Sequence, residues 1–322
     1  MKRFLFSLLV LVLLGAFSLS FAAEPKRTTL GVTSRVGSSS LPFVIAEEKG
    51  FFRKEGLNTV VVVMQNQVVV QGVLSRNVDY GGTFSNFVGA ALRGLPLRIV
   101  MAAMNGSDHV LVTSKNLKKV EDLKGKIIGI SSFGGTPHSE AVMILRKHGM
   151  NPERDVTFVQ VGGSSRRYRA LESGAIDAAM LVPPFNKMAR KRGFNELLSF
   201  NDVVRIPFGG IAVHVEKIRE NPGEIVRTIK AVLESIDYIQ EQKTEMSSFM
   251  EKEWGMKDRV VRDEVYHDIA ALYSRTGIAS DQMMENVIRM TLETRENKGN
   301  VPLSKIVDWS FAKRANEELG RK

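Results

Sequence analysis

Leu30-Gly31-Val32-Thr33-Ser34 returns 98 residues later as Ile128-Gly129-Ile130-Ser131-Ser132. Two further segments return in the same order. Lys54-Glu55-Gly56-Leu57-Asn58 matches Lys147-His148-Gly149-Met150-Asn151 at an offset of 93, and Val78-Asp79-Tyr80-Gly81 matches Ile176-Asp177-Ala178-Ala179 at 98. A period of this length with two copies does not describe a stacked solenoid. It describes a lobe made twice.

Each copy reads as β-α-β-α-β. A β-rich run ends in a Gly/Ser loop, and a helix follows that closes at Gly56 or Gly149, as helix C-termini commonly do. A second β-rich run covers Thr59 to Met64, or Val156 to Val161. A second helix runs to Ser75-Arg76-Asn77, or to Ser173-Gly174, and the third strand begins at the Val-Asp or Ile-Asp pair. Such alternation predicts two parallel α/β sheets. Ligands of open α/β sheets bind beyond the carboxyl ends of the strands. Two lobes with those ends facing each other therefore make a cleft.

After the second copy, Ile211 to Val215 reads as a strand returning to the first lobe. Helices follow. Asn221-Pro222 is a start signal, and Ile225, Ile229, Val232, Ile236 and Ile239 keep helical spacing. Further helices are predicted at Lys257–Arg275, Ser280–Glu296 and Leu303–Leu319, packed on the first lobe. The expected division is a leader at 1–23, lobe 1 at 26–108, lobe 2 at 109–208, and the return to lobe 1 with the C-terminal helices at 209–322.

The leader reading rests on three parts. Lys2-Arg3 is basic, Phe4 to Leu14 is almost unbroken apolar sequence, and Ser20-Phe21-Ala22 or Phe21-Ala22-Ala23 offers small residues at the spacing for cleavage near Ala22 or Ala23. That pattern predicts export to the periplasm. The rival is an uncleaved anchor. The chain has no cysteine, so disulfides, thiol nucleophiles and a lipid-attachment cysteine are not expected.

The formal net charge is +10, but the basic residues are dispersed. Arg166-Arg167-Tyr168-Arg169 and Arg190-Lys191-Arg192 are read as solvated helix faces, so no nucleic-acid partner is expected. None of the five histidines forms a metal-ligand pair at helical spacing. Phosphate-loop and nucleophile-elbow motifs are missing. No metal, cofactor or catalytic residue is expected. Asp79 and Asp177 are read as turn caps at strand starts, and His138 as either a ligand contact or a surface residue.

Four loops lie at predicted strand ends: Gly37-Ser38-Ser39-Ser40-Leu41-Pro42, Thr83-Phe84-Ser85-Asn86, Ser132-Phe133-Gly134-Gly135-Thr136-Pro137 and Val182-Pro183-Pro184-Phe185. Thr136 is read as a helix N-cap before Pro137. Gly134 and Gly135 would let a ligand approach the backbone and the positive end of the helix dipole. Phe84, Phe133, Phe185 and Phe208 would supply aromatic walls.

Three segments resemble the hallmarks of one family. These are Ala46-Glu47-Glu48-Lys49-Gly50-Phe51-Phe52-Arg53-Lys54-Glu55-Gly56-Leu57, then Val120-Glu121-Asp122-Leu123-Lys124-Gly125-Lys126 with Ile128-Gly129, and Leu171-Glu172-Ser173-Gly174-Ala175-Ile176-Asp177-Ala178-Ala179. The family is the periplasmic substrate-binding proteins for nitrate, sulfonates, taurine and the thiamine pyrimidine precursor. The resemblance implies a type II periplasmic-binding fold whose two α/β lobes close on one ligand. It also implies the permease of an ABC-type importer as partner, with the chain acting as a monomer. Carried over by position, the ligand loops would be Ser38 to Leu41, Phe84-Ser85, Gly134 to Thr136, and Pro183. Phe133 departs from the pattern by its bulk, and no acidic or paired aromatic residue diagnostic of one solute is present. A pyrimidine-precursor synthase shares the family's fold but uses a cysteine-bearing motif. A protein that presents ligand to a sensor kinase is the other alternative.

Overall fold

The computed structural model describes residues 26–293 and 301–321. The leader and the predicted end of the Ser280–Glu296 helix lie outside the described residues.

The first copy gives β1 (Arg27–Val32), α1 (Leu41–Glu48), α2 (Phe51–Lys54), β2 (Asn58–Val63), α3 (Asn66–Leu74), β3 (Tyr80–Gly81), α4 (Ser85–Leu92) and β4 (Leu97–Met104). The second gives β5 (Val110–Thr113), β6 (Lys126–Ile130), α5 (Thr136–Lys147), β7 (Val156–Gln160), α6 (Ser164–Glu172), β8 (Ala178–Leu181), α7 (Phe185–Lys191) and β9 (Asn195–Ser199). Then come β10 (Phe208–His214), α8 (Val215–Glu220), α9 (Pro222–Glu241), α10 (Lys243–Glu253), α11 (Arg259–Ala270), α12 (Asp281–Glu293) and α13 (Ser310–Glu318). The closing glycines Gly56 and Gly149 take φ of 68° and 73°, which a side chain would disfavour.

The two sheets share one topology, β2-β1-β3-β10-β4 and β7-β6-β8-β5-β9. They are mixed, which corrects the expectation of parallel sheets. β10 runs antiparallel to β3 and β4, and β5 antiparallel to β8 and β9. The cause is the double crossing of the chain between lobes. β4 and β9 end at the cleft, and the strand after each enters the other sheet from the cleft side. Val110 thus lies beside Leu181 at the end of β8, and Phe208 beside Met104 at the end of β4.

Asp79 and Asp177 occupy equivalent places, but they are not turn caps. Each carboxylate accepts the backbone N–H of the neighbouring strand, Thr29 or Ile127, at 2.9 Å. The reason is that β1 meets β3 only from Leu30, and β6 meets β8 only from Ile128, so the N–H just before needs another acceptor. Both lie at the strand starts, away from the cleft.

The predicted apolar series on α9 is buried in full and packs on α1 and α2, with α13 against its far side. α12 departs from the expected packing on lobe 1 alone. Met283, Met284, Val287 and Met290 share a core with Val88 of α4 and with Ala141, Ile144 and Leu145 of α5. Methionine suits such an irregular seam between lobes. No helix among the described residues is long and apolar enough to cross a membrane.

Candidate functional site

A cleft of about 690 Å³ opens between the carboxyl ends of the two sheets, a size suited to a small solute. Ser39, Ser40, Phe84 and Asn86 line it from lobe 1, and Thr136 and Phe185 from lobe 2. Phe208 and Gly209 of β10 complete its floor.

The other sequence-predicted site residues sit elsewhere. Leu41 is fully buried in the lobe 1 core, because it opens a helix whose first six residues are all buried. Ser38 is 1% exposed and donates its hydroxyl to Asp108. Ser85 is buried behind Phe84. Pro183 is buried, and Val182 and Phe185 form the wall around it.

The glycine loop is also rearranged. α5 has Gly135 as its N-cap and Thr136 as its first helical residue, so Thr136 lines the cleft without capping through its side chain. The Gly134 N–H donates to His138 Nδ1 at 3.1 Å, and the Gly135 N–H to Ser132 O at 3.1 Å. A Cβ on Gly135 would lie 2.8 Å from Ser132 Oγ and 2.9 Å from Ser131 Oγ. Glycine at 135 therefore lets the two serines pack closely against it. Phe133 is 63% exposed and turns outward with His138 into a separate groove beside Phe158.

That geometry sets His138's titration. Burial holds its pKa below the usual histidine value, opposed by Glu153, and its Nδ1 accepts a hydrogen bond only while unprotonated. The folded state therefore binds the proton less readily than the unfolded chain does. This contribution is complete above the unfolded value of about 6.5 and is lost as pH falls towards the depressed folded value. His138→Gln should accordingly flatten the decline of Tm between about pH 7 and 5. An unchanged slope in thermal melts would count against this contact.

Three polar atoms of cleft-lining residues are buried without a protein partner: Asn66 Oδ1, Thr83 Oγ1 and Ser131 Oγ. Buried polar groups are nearly always satisfied, and these three atoms have that capacity left over.

Sequence reasoning missed the strongest charge. Arg167 was expected on a solvated face, yet it is 2% exposed and lines the cleft. Its Nε and Nη2 donate to Met180 O at 3.0 and 2.8 Å, and its Nη1 to Gly162 O at 2.6 Å. No described carboxylate lies within ion-pair distance, and burial pulls the guanidinium down to about 10. The preceding Gly162-Gly163 loop and the first residues of α6, Ser164 to Arg166, also line the cleft. The strand-end rule, applied to the second strand of each copy, finds this loop. Arg190 and Lys191 instead pair with Glu264 and Asp258, fastening α7 to α11.

The first interlobe crossing carries Ser107-Asp108-His109. Asp108 is buried against lobe 1, where the hydroxyl of Tyr273 also donates to Ser38 O at 2.8 Å. Desolvation raises the Asp108 carboxyl above its ordinary range, with His109 and the Ser38 hydrogen bond opposing. His109 lines the cleft, and its Nδ1 lies 2.9 Å from Glu140 Oε2 of lobe 2. Ser107, His109 and Glu140 are not a nucleophilic triad. Ser107 Oγ and Glu140 both meet the same ring nitrogen, whereas a triad needs them on opposite ones. Among the described residues no cluster of three His, Asp or Glu side chains has the geometry to hold a metal.

Two similar α/β lobes, crossed twice by the chain and closed over a polar cleft, define the periplasmic-binding-protein fold. Within it the chain belongs to the NMT1/THI5-like family, which its residues 38–246 match. It is 25% identical over 225 residues to the nitrate import ATP-binding protein NrtC of Synechocystis sp., covering 63% of this chain and 33% of that one. It is 25% identical over 219 residues to the 4-amino-5-hydroxymethyl-2-methylpyrimidine phosphate synthase THI12 of Saccharomyces cerevisiae, covering 62% and 63%. The chain thus spans a third of the first relative and less than two thirds of the second. The alkanesulfonate-binding protein SsuA of Xanthomonas axonopodis pv. citri, bound to MOPS, superposes with a TM-score of 0.75 at 15% identity, over 89% of this chain and all of that one.

Proposed function

We propose that this protein is an exported, non-enzymatic solute receptor of an ABC-type importer, acting as a monomer that captures a small anion by closure of its two lobes. The observation that carries the anion is Arg167, a buried cation at the cleft with no carboxylate within ion-pair distance, Glu140 acting on it only from further off. A buried charge normally finds a counter-charge, and a sulfonate or nitrate brought into the cleft supplies one. The unpartnered hydroxyls of Thr83 and Ser131 then donate to the solute from both lobes. Closure follows because the solute meets both walls only in the closed state. Relatives whose names point to nitrate import and to alkanesulfonate binding support this reading. The leader, read from the sequence, supports export.

The test is thermal shift with nitrate, methanesulfonate and, as a neutral comparator, 4-amino-5-hydroxymethyl-2-methylpyrimidine. An anion at 100 times its Kd should stabilise the protein by about 2.7 kcal/mol. A shift with the pyrimidine alone would overturn the anion, and silence from all three would overturn the receptor.

A further inference from the structure

We propose that Nε2 of His109 is a direct contact for the solute, and that the cleft takes up one proton there as it takes up an anion. Glu140 and Ser107 act as positioning residues. The proposal rests on the anion reading above.

Hydrogen counting fixes the state of the ring. Ser107 Oγ has one hydrogen and donates it to Glu140 Oε1 at 2.6 Å. It also accepts the His109 backbone N–H at 3.3 Å. Its remaining contact, 3.0 Å to His109 Nδ1, must therefore have Nδ1 as the donor. Glu140 Oε2 lies 2.9 Å from the same nitrogen, at ion-pair distance but without a hydrogen bond. Nδ1 thus carries a proton, and the ring orientation is set from lobe 2.

Nε2 is the ring's remaining valence. It has no hydrogen-bond partner among the described residues, and His109 lines the cleft, edge-on to Phe208 with ring centroids 5.0 Å apart. With Nδ1 protonated, a neutral ring offers only a lone pair at Nε2, which repels an anion. A second proton turns Nε2 into a charged donor. The charged groups that face this ring are Glu140 from α5 and Asp108 from its own segment, with Arg167 of α6 acting on Glu140. Glu140 is fully buried and supplies the counter-charge for the imidazolium. An incoming anion at Nε2 favours the same form. The two events are therefore linked, each promoting the other.

Position adds to the argument. His109 sits on the crossing between lobes, one residue from Asp108, which is fastened to the Ser38 loop of lobe 1. Glu140 belongs to the helix that presents Thr136 to the cleft. A solute on Nε2 therefore meets the segment that both lobes hold.

Calorimetric titration of the full chain with methanesulfonate and with nitrate between pH 5.5 and 8.5 tests this. Affinity for the anion that binds should weaken by up to about tenfold per pH unit as the ring loses its second proton. Runs in buffers of different ionisation enthalpy should show proton uptake approaching one per anion. His109→Gln should bind more weakly at low pH and lose the pH slope. Glu140→Gln should keep a slope but shift it to lower pH, which a purely structural role would not do. Imidazole ¹⁵N spectra should show Nδ1 protonated before the anion is added and both nitrogens protonated after. Thermal melts exclude unfolded variants, and His109→Asn replaces any that fails to fold. Anion binding that is flat with pH, or a His109→Gln slope equal to wild type, overturns the histidine proposal alone. Absence of anion binding at every pH overturns the anion reading and this proposal together.

Discussion

Arg167→Gln is expected to weaken methanesulfonate binding by about 10- to 100-fold, the worth of one hydrogen bond to a charged group. The guanidinium has five donor hydrogens, of which three point to the Met180 and Gly162 carbonyls. Those bonds hold the planar group rigid at the cleft wall. Two donors and a full charge remain for the solute, in a setting where burial strengthens electrostatic contacts. Glutamine keeps a polar head but removes the charge. Arg154 of the same lobe is exposed and does not line the cleft, so Arg154→Gln should change affinity by no more than about twofold, as expected of surface charges. Calorimetry on both variants, with thermal melts to confirm folding, makes the comparison. Equal losses would mean a diffuse positive field, and no loss in Arg167→Gln would remove the residue from the site.

The same arginine shows where sequence reasoning stops. Arg166-Arg167-Tyr168-Arg169 is a run of cations on a helix, and such runs are usually solvated. What turns Arg167 inward is the main chain of two other segments, the carbonyls of Met180 and Gly162. Neither carries a side-chain signature. Ser38 and Leu41 turn away from the cleft for a related reason. A loop can be placed at a strand end from its residues, but which of its side chains faces the cleft depends on the helical turn that follows. Sheet order was readable only in part. The repeat announced three parallel strands per lobe, and these are present. The antiparallel strands β5 and β10 come from the double crossing, which has no local pattern. The long helix α9 was legible throughout, since five isoleucine and valine positions at helical spacing leave few alternatives. The cleft itself followed from the repeat and the strand-end rule. Its charge and its histidine did not.

Gly210→Ala is expected to lower Tm by about 6 to 12 °C, taking about 3 kcal/mol as the upper range for overpacking and about 2 to 4 °C per kcal/mol for a chain of this size. A Cβ on Gly210 would lie 2.3 Å from the carbonyl oxygen of Met101 and 2.9 Å from Phe84 Cδ2. The first neighbour is backbone of β4 and cannot rotate away. Relief would require β10 to separate from β4 at the register where Gly210 faces Ala102 and Ile211 faces Met101. The cost would also reach the site, because Gly209 takes φ of 67° and packs where a Cβ would meet Ser39 O at 3.0 Å. Moving β10 therefore moves Ser39 and Phe84 together, both of which line the cleft. Solute affinity should fall along with stability. Gly223→Ala is the matched control, since it lies in the first turn of α9 with only the end of Arg227 near its added carbon, at 3.8 Å. There alanine should be neutral or stabilising by up to about 1 kcal/mol. Thermal and calorimetric measurements on the pair separate the two causes. If Gly210→Ala melts like Gly223→Ala, β10 does not approach β4 this closely, and the coupling between the return strand and the cleft fails with it.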